Sequence, residues 1–239
     1  MIQLYNLFLY QPLFNILIFL YNLSWHDLGV AIILLTVLIK LLLWPLSNKS
    51  TRAQKKLQTI QPKLDEIKKK YKDNREQQAK AMMELYRQEK INPLSSCLPL
   101  LIQFPFIIAV FQVFRTGLKS ESLNLLYPFI NNPGNLNTYF FGLFDLTSPN
   151  AVLAVLAGIS QYWQTKMLVG KKQASPVAAK KGEESFATIM NKQMLYMMPI
   201  MTVFIGMTLP SGLALYWLVS TLLTIIQQVY IFKEKETDK

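Results

Sequence analysis

The chain has 239 residues, 51% of them hydrophobic, with a mean hydropathy of +0.23 and a formal charge of +11. Its apolar residues gather into runs near the roughly 20 that cross a bilayer, which a soluble domain of this length does not show. The single cysteine, Cys97, excludes an intrachain disulfide and argues against metal ligation, so the class is an all-α polytopic membrane protein.

A basic balance can also mean nucleic acid, but the placement of the charge argues otherwise. Thirteen of the 25 Lys and Arg lie between Lys49 and Lys90, six between Lys166 and Lys192, and three follow Phe232. Such clusters mark the cytoplasmic side of a membrane protein. No specific DNA binding is expected.

In residues 1–27, Gln3, Asn6, Tyr10, Gln11, Asn15 and Asn22 recur at helical spacing within an apolar stretch. That pattern reads as an amphipathic helix lying in the outer interface, not as a span. No Lys or Arg precedes Lys40, so the start lacks the basic region of a signal peptide and is expected outside.

Residues 28–47 form the first expected span, and Lys40 stands well inside its apolar run. A cation at membrane depth costs on the order of 2.5 to 3.5 kcal/mol, so it usually faces a protein interior or a watery cavity. Thr36, four residues earlier, shares its helical face. Two readings stay open: a functional site, or a lysine that snorkels past Trp44, Pro45 and Ser47 toward water.

Residues 48–91 change sharply in composition. Leu57, Ile60, Leu64, Ile67 and Tyr71 repeat at three and four, and Ala79, Met82, Met83 and Tyr86 form a second stripe after a break at Lys72–Asn74. This predicts a cytoplasmic antiparallel helical hairpin with narrow apolar seams, its first arm kinked or started by Pro62. Its basic face suits a solvated surface beside anionic lipid.

The second span, residues 92–115, carries Pro99 and Pro105 and has Gln103 near its middle. Residues 116–149, with Lys119 their only cation and many Asn, Pro and aromatic residues, read as an outer segment lying partly in the interface. The third span, 150–168, has Ser160, Gln161, Gln164 and Thr165 toward its inner end, and 169–191 read as a flexible basic cytoplasmic loop.

Spans four and five, 192–210 and 211–232, meet at Pro210 and Ser211, which makes them an antiparallel pair with its turn outside; residues 233–239 form a cytoplasmic tail. Trp217, Thr221, Thr224 and Gln228 make a polar stripe on the last helix, which taken alone favours interhelical packing over function. Met194, Met197, Met198 and Met201 read as a pliable packing surface, not a metal site.

The order of these parts resembles the YidC family of membrane protein insertases. The likeness covers nearly the whole chain: YNLFLYQPLFNILIFLYNL, VAIILLTVLIKLLLWPLS, LQTIQPKLDEIKKKY, INPLSSCLPLLIQFPF, FGLFDLTSPN and LPSGLALYWLVSTLLTIIQQ occur in the family's order. The resemblance implies five spans with an outside N-terminus, in a bacterial cytoplasmic membrane. It also implies a hydrophilic groove open to cytoplasm and lipid, and a hairpin that helps receive substrate. Lys40 stands where this family typically has arginine, which keeps the charge and loses the bidentate fork. There is no large extracytoplasmic domain, as in the family's shorter members.

The expected function is therefore insertion of nascent membrane proteins without covalent chemistry or cofactor. Lys40, Thr36, Gln103, Trp217, Thr221, Thr224 and Gln228 are the expected groove residues. Ribosomes with emerging chains and the general secretion channel are the expected partners, beside the lipid bilayer. The rival is a small-solute transporter or channel with Lys40 as an anion site; the halves show no internal repeat of the kind such proteins favour. An enzyme is not expected, since Glu121 and Asp145 are isolated, His26 is the only histidine, and no nucleophile and base pair is evident.

Overall fold

The computed structural model describes residues 2–72, 74–92, 98–117, 120–169 and 193–234. Cys97, Lys119, most of the basic loop and the end of the tail lie outside the described residues.

Helix α1 (Ile2–Tyr5) runs through a π-helical stretch, Asn6–Tyr10, into α2 (Gln11–Leu23). Gln11, Asn15 and Asn22 on this helix meet protein, whereas Gln3 is exposed and the buried Asn6 Oδ1 has no hydrogen-bond partner among the described residues. Buried Asn15 donates to the Gln11 and Leu125 carbonyls at 2.8 and 3.1 Å and accepts from the Tyr127 amide at 2.7 Å. Gln11 donates to Leu125 O and Asn22 to Asn131 O. The polar positions read as a water-facing stripe thus fasten the segment 125–131 to α2, and Gln3–Leu23 is long and apolar enough to cross a membrane.

Helix α3 (Leu28–Leu42) begins at Asp27, whose Oδ1 accepts from the Val30 amide at 2.9 Å, an N-cap that satisfies one free donor. It was expected to continue to residue 47 but stops at Leu42. Pro45 has no amide for the Leu41 carbonyl and its ring would clash there, so the chain turns by 69° into α4 (Trp44–Thr59), with Pro45 in the first turn. Pro62 likewise opens α5 (Gln61–Lys70), which settles its role as a start, not a mid-arm kink.

Helix α6 (Arg75–Gln88) is capped by Asn74 and runs antiparallel to α5: Lys63 meets Glu89 at 2.5 Å, and Gln78 Nε2 reaches the Lys68 carbonyl at 3.2 Å. Ile60, Leu64 and Ile91 are buried between them, with Leu57, Met82, Leu85 and Tyr86 packed around. Met83 is exposed, so the second stripe runs through Leu85 instead.

Helix α7 (Leu98–Gln112) passes into a π-helical stretch, Val113–Gly117, and then a 3-10 turn, Ser120–Leu125. Among the described residues the only strands are the two-residue β1 (Tyr139–Phe140) and β2 (Phe144–Asp145), paired antiparallel. Burial tends to raise the Asp145 carboxyl, but the Thr147 amide and hydroxyl, Ser148 and Thr138 donate to it and hold it below the usual carboxylate value.

Helix α8 (Ala151–Val169) packs against both α9 (Met198–Gly206), which is entered through the π-helical Gln193–Met197, and α10 (Ser211–Lys233). Small residues permit the approach: a Cβ on Gly158 would collide with Val203, and one on Gly206 with Ala154. Met194, Met197 and Met201 are exposed instead of packed. The main core joins α2, α3, α7 and α10 through Phe14, Ile18, Tyr21, Ile32, Val110 and Tyr216. By length and apolarity, Gln3–Leu23 and α10 can each cross a membrane, and the bent α3–α4 pair makes a third if counted as one.

Candidate functional site

The polar residues of interest lie where α3 and α4 run beside α10. Lys40, in the last turn of α3, turns its head toward α10 and donates to Thr224 Oγ1 at 2.9 Å. Thr224 in turn donates to the Ser220 carbonyl at 2.8 Å. Leu38, Leu41 and Leu42 around it are exposed, whereas the ammonium is held against a neighbouring helix. Among the described residues no carboxylate pairs with Lys40, so its charge is balanced only by dipoles.

Thr36 is fully buried and donates to the Ile32 carbonyl at 2.6 Å, one turn back on its own helix. It shares a face with Lys40 but its hydroxyl proton is already used. Gln103 hydrogen-bonds the Tyr216 hydroxyl, not Lys40. Trp217 borders a small apolar cavity with Ala157, Thr202, Gly206 and Leu213, toward α8 and α9. Thr221 is buried, and Gln228 is buried with its Oε1 lacking a hydrogen-bond partner. The structure therefore joins Lys40 to Thr224, and ties Gln103 to a different partner on the same helix. A second small apolar cavity, lined by Leu13, Leu17, Ile32 and Tyr216 among others, also excludes Lys40 from its walls.

Below Lys40, toward the hairpin, a ladder of polar contacts joins α4 to α10. Ser47 donates to Gln227 Oε1 at 2.7 Å, and Gln227 Nε2 donates to Asn48 Oδ1 at 2.5 Å. Lys55 donates to the Ile231 and Glu234 carbonyls at 3.2 and 2.5 Å, and Arg52 pairs with Glu234 at 2.7 Å. Across the bundle, Thr202 donates to Gln161 Oε1 at 2.5 Å in a buried contact between α9 and α8. These pairs escaped the sequence reading. Gln227 lies one position off the stripe of Thr224 and Gln228, and Tyr216 is adjacent to Trp217. Only the packing tells which neighbour meets α3 and α4.

Chemically the arrangement offers a cation held against hydroxyls and amides of a neighbouring helix. Among the described residues no group of three His, Cys, Asp or Glu side chains converges.

Comparison with known proteins gives one family. The model described as the 60Kd inner membrane protein matches residues 19–238. A Fusobacterium nucleatum protein named Membrane protein insertase YidC is 34% identical over 95% of this chain and 98% of its own length. Proteins of the same name from Pelobacter propionicus and Tolumonas auensis are 38% and 37% identical over 86% and 97% of this chain, but over 35% and 37% of their own. The chain thus spans nearly all of the first relative and little more than a third of the other two. With the matched model covering almost its entire length, the chain belongs to the 60Kd inner membrane protein family, that of the YidC membrane protein insertases.

Proposed function

We propose that the protein inserts nascent membrane proteins, using the Lys40 side of the α3–α10 contact as a polar crevice within the bilayer. The observation that carries this reading is the Lys40–Thr224 hydrogen bond: the ammonium is turned onto a neighbouring helix while exposed leucines surround it. A lysine that merely escaped the membrane would extend past the end of its helix toward water.

In this reading a short polar segment of an emerging chain shelters beside Lys40 and Thr224, with Gln228 buried behind them, while its apolar neighbour moves into lipid. The polar segment then crosses a shorter low-dielectric path, which lowers the barrier. Lys40 attracts acidic groups more strongly there than in bulk water. Gln103, held by Tyr216, limits the crevice on the outer side, and Thr36 contributes shape more than hydrogen bonding. The α5–α6 hairpin receives substrate from the ribosome, with the general secretion channel as a further partner. The reading includes five spans in a bacterial cytoplasmic membrane, with the start of the chain outside. A cysteine at position 5 that reacts only from the cytoplasmic face would overturn that topology.

Substitution at Lys40 tests the crevice. In cells depleted of the endogenous insertase, Lys40→Arg should support insertion. Lys40→Ala should impair substrates with acidic translocated segments most, and Lys40→Glu should be worse. Undiminished insertion of every substrate by the Ala variant would sink the reading and leave the polar residues as interhelical contacts.

A further inference from the structure

Two turns at the end of the bundle away from the hairpin hold aromatic residues in a backbone conformation that does not favour them, and leave their rings uncovered. Trp25 has φ of 50° and is 90% exposed; Phe141 has φ of 47° and is 68% exposed. The left-handed region costs a side chain of this kind about 1 to 2 kcal/mol, and Gly or Asn would form either turn with less strain. Gly142, beside Phe141, does so with φ of 70°.

The turns are joined to each other. While Asp27 Oδ1 caps α3, its Oδ2 accepts from the Phe141 amide at 2.7 Å. Phe140 lies so close to Gly29 that a Cβ there would collide with its ring, which holds the β1–β2 turn against the start of α3. The Phe140 and Phe141 ring centroids are 4.7 Å apart, and Leu143, on the same turn, is 74% exposed. The Asp27 carboxylate thus ties the Phe141 turn to the start of α3, two residues after Trp25, and leaves an indole, a phenyl ring and an isobutyl group uncovered on the two turns at this end of the helix.

We propose that Trp25, Phe141 and Leu143 form an anchor seated at the boundary between headgroups and acyl chains in the leaflet at this end of the bundle. Farther along α3, Leu34 and Leu38 are exposed as well. An indole with an apolar body and an N–H donor partitions to that boundary, and burial of the other two groups offsets the backbone strain. Charge selects among lipids: in residues 1–39 and 116–149 the only Lys or Arg is Lys119. The anchor therefore meets the bilayer by its apolar and indole groups, without attraction to anionic headgroups. It requires the bundle to be embedded in a membrane, but not the crevice at Lys40.

The test uses the full chain in phosphatidylcholine vesicles, comparing wild type with Trp25→Phe so that the difference in emission belongs to Trp25. That difference should disappear in lipid brominated on the acyl chains, resist iodide supplied on both faces, and be unchanged when phosphatidylglycerol replaces part of the lipid. A Phe141→Trp variant, read against wild type, gives a second difference with the same expected losses. Emission that survives in brominated lipid and is lost to iodide would place the turns in water and overturn the anchor. Quenching that appears only with phosphatidylglycerol would overturn it equally, by making the contact electrostatic.

Discussion

The bundle around α2, α3, α7 and α10 and the hairpin of α5 and α6 are both helical, but they hold their shape by different means. In the bundle, Phe14, Ile18 and Leu28 are completely buried, and polar groups such as Asn15 have protein partners. In the hairpin only Ile60, Leu64 and Ile91 are buried, while Lys63–Glu89, Lys80–Glu76 and Lys68–Asp65 pair at its surface. Its helices owe more to strong helix formers and to the Asn74 cap than to packing. A region held by one narrow seam can open or shift while the densely packed region stays closed.

The sharpest way to break this contrast is in the bundle. Phe14→Ala should lower its stability by about 3 to 5 kcal/mol, read from denaturant unfolding in detergent micelles, because the ring leaves a cavity the helices cannot fully close. A loss under about 1 kcal/mol would mean that the bundle relaxes as readily as the hairpin. Next in size is Leu64→Ala, expected to cost the seam about 2 to 3 kcal/mol. Hydrogen exchange should then show lost protection across residues 57–91 with residues 11–42 unchanged; joint loss would show the two regions to be one cooperative unit. Smallest is the exposed Lys63–Glu89 pair, for which a double-mutant cycle should give less than about 1 kcal/mol, falling further in high salt.

Local chemistry made part of this structure legible beforehand. Pro62 and the Lys72–Asn74 break located the hairpin's arms, since proline and capping residues act within a turn of where they stand. Helical spacing also put Thr224 on one face with Thr221 and Gln228, because it fixes which residues of a helix share a side. What a face meets is decided by distant chain. Asn15 looked water-facing on its own helix, yet its partners are Leu125 and Tyr127. Gln103 was grouped with Lys40 by depth, whereas the Tyr216 hydroxyl takes it. Trp44 and Pro45 suggest a nearby aqueous boundary in the sequence, but the 69° bend there and the packing of α4 against α10 come only from the folded chain.

That bend has a mechanical consequence. At about 1.5 Å per residue, the 16 residues of α4 make an arm roughly 24 Å long, pivoting at Leu43, three positions from Lys40. A sideways pull where α5 begins becomes a torque about that pivot. Arg52 and Lys55 grip the end of α10 partway out along the arm, where they resist rotation with good leverage, while Ser47 and Asn48 brace it close to the axis. The hairpin and Lys40 are therefore joined through one arm, and its stiffness depends on the contacts of Arg52 and Lys55 with the end of α10 and of Gln58 with the Met167 carbonyl.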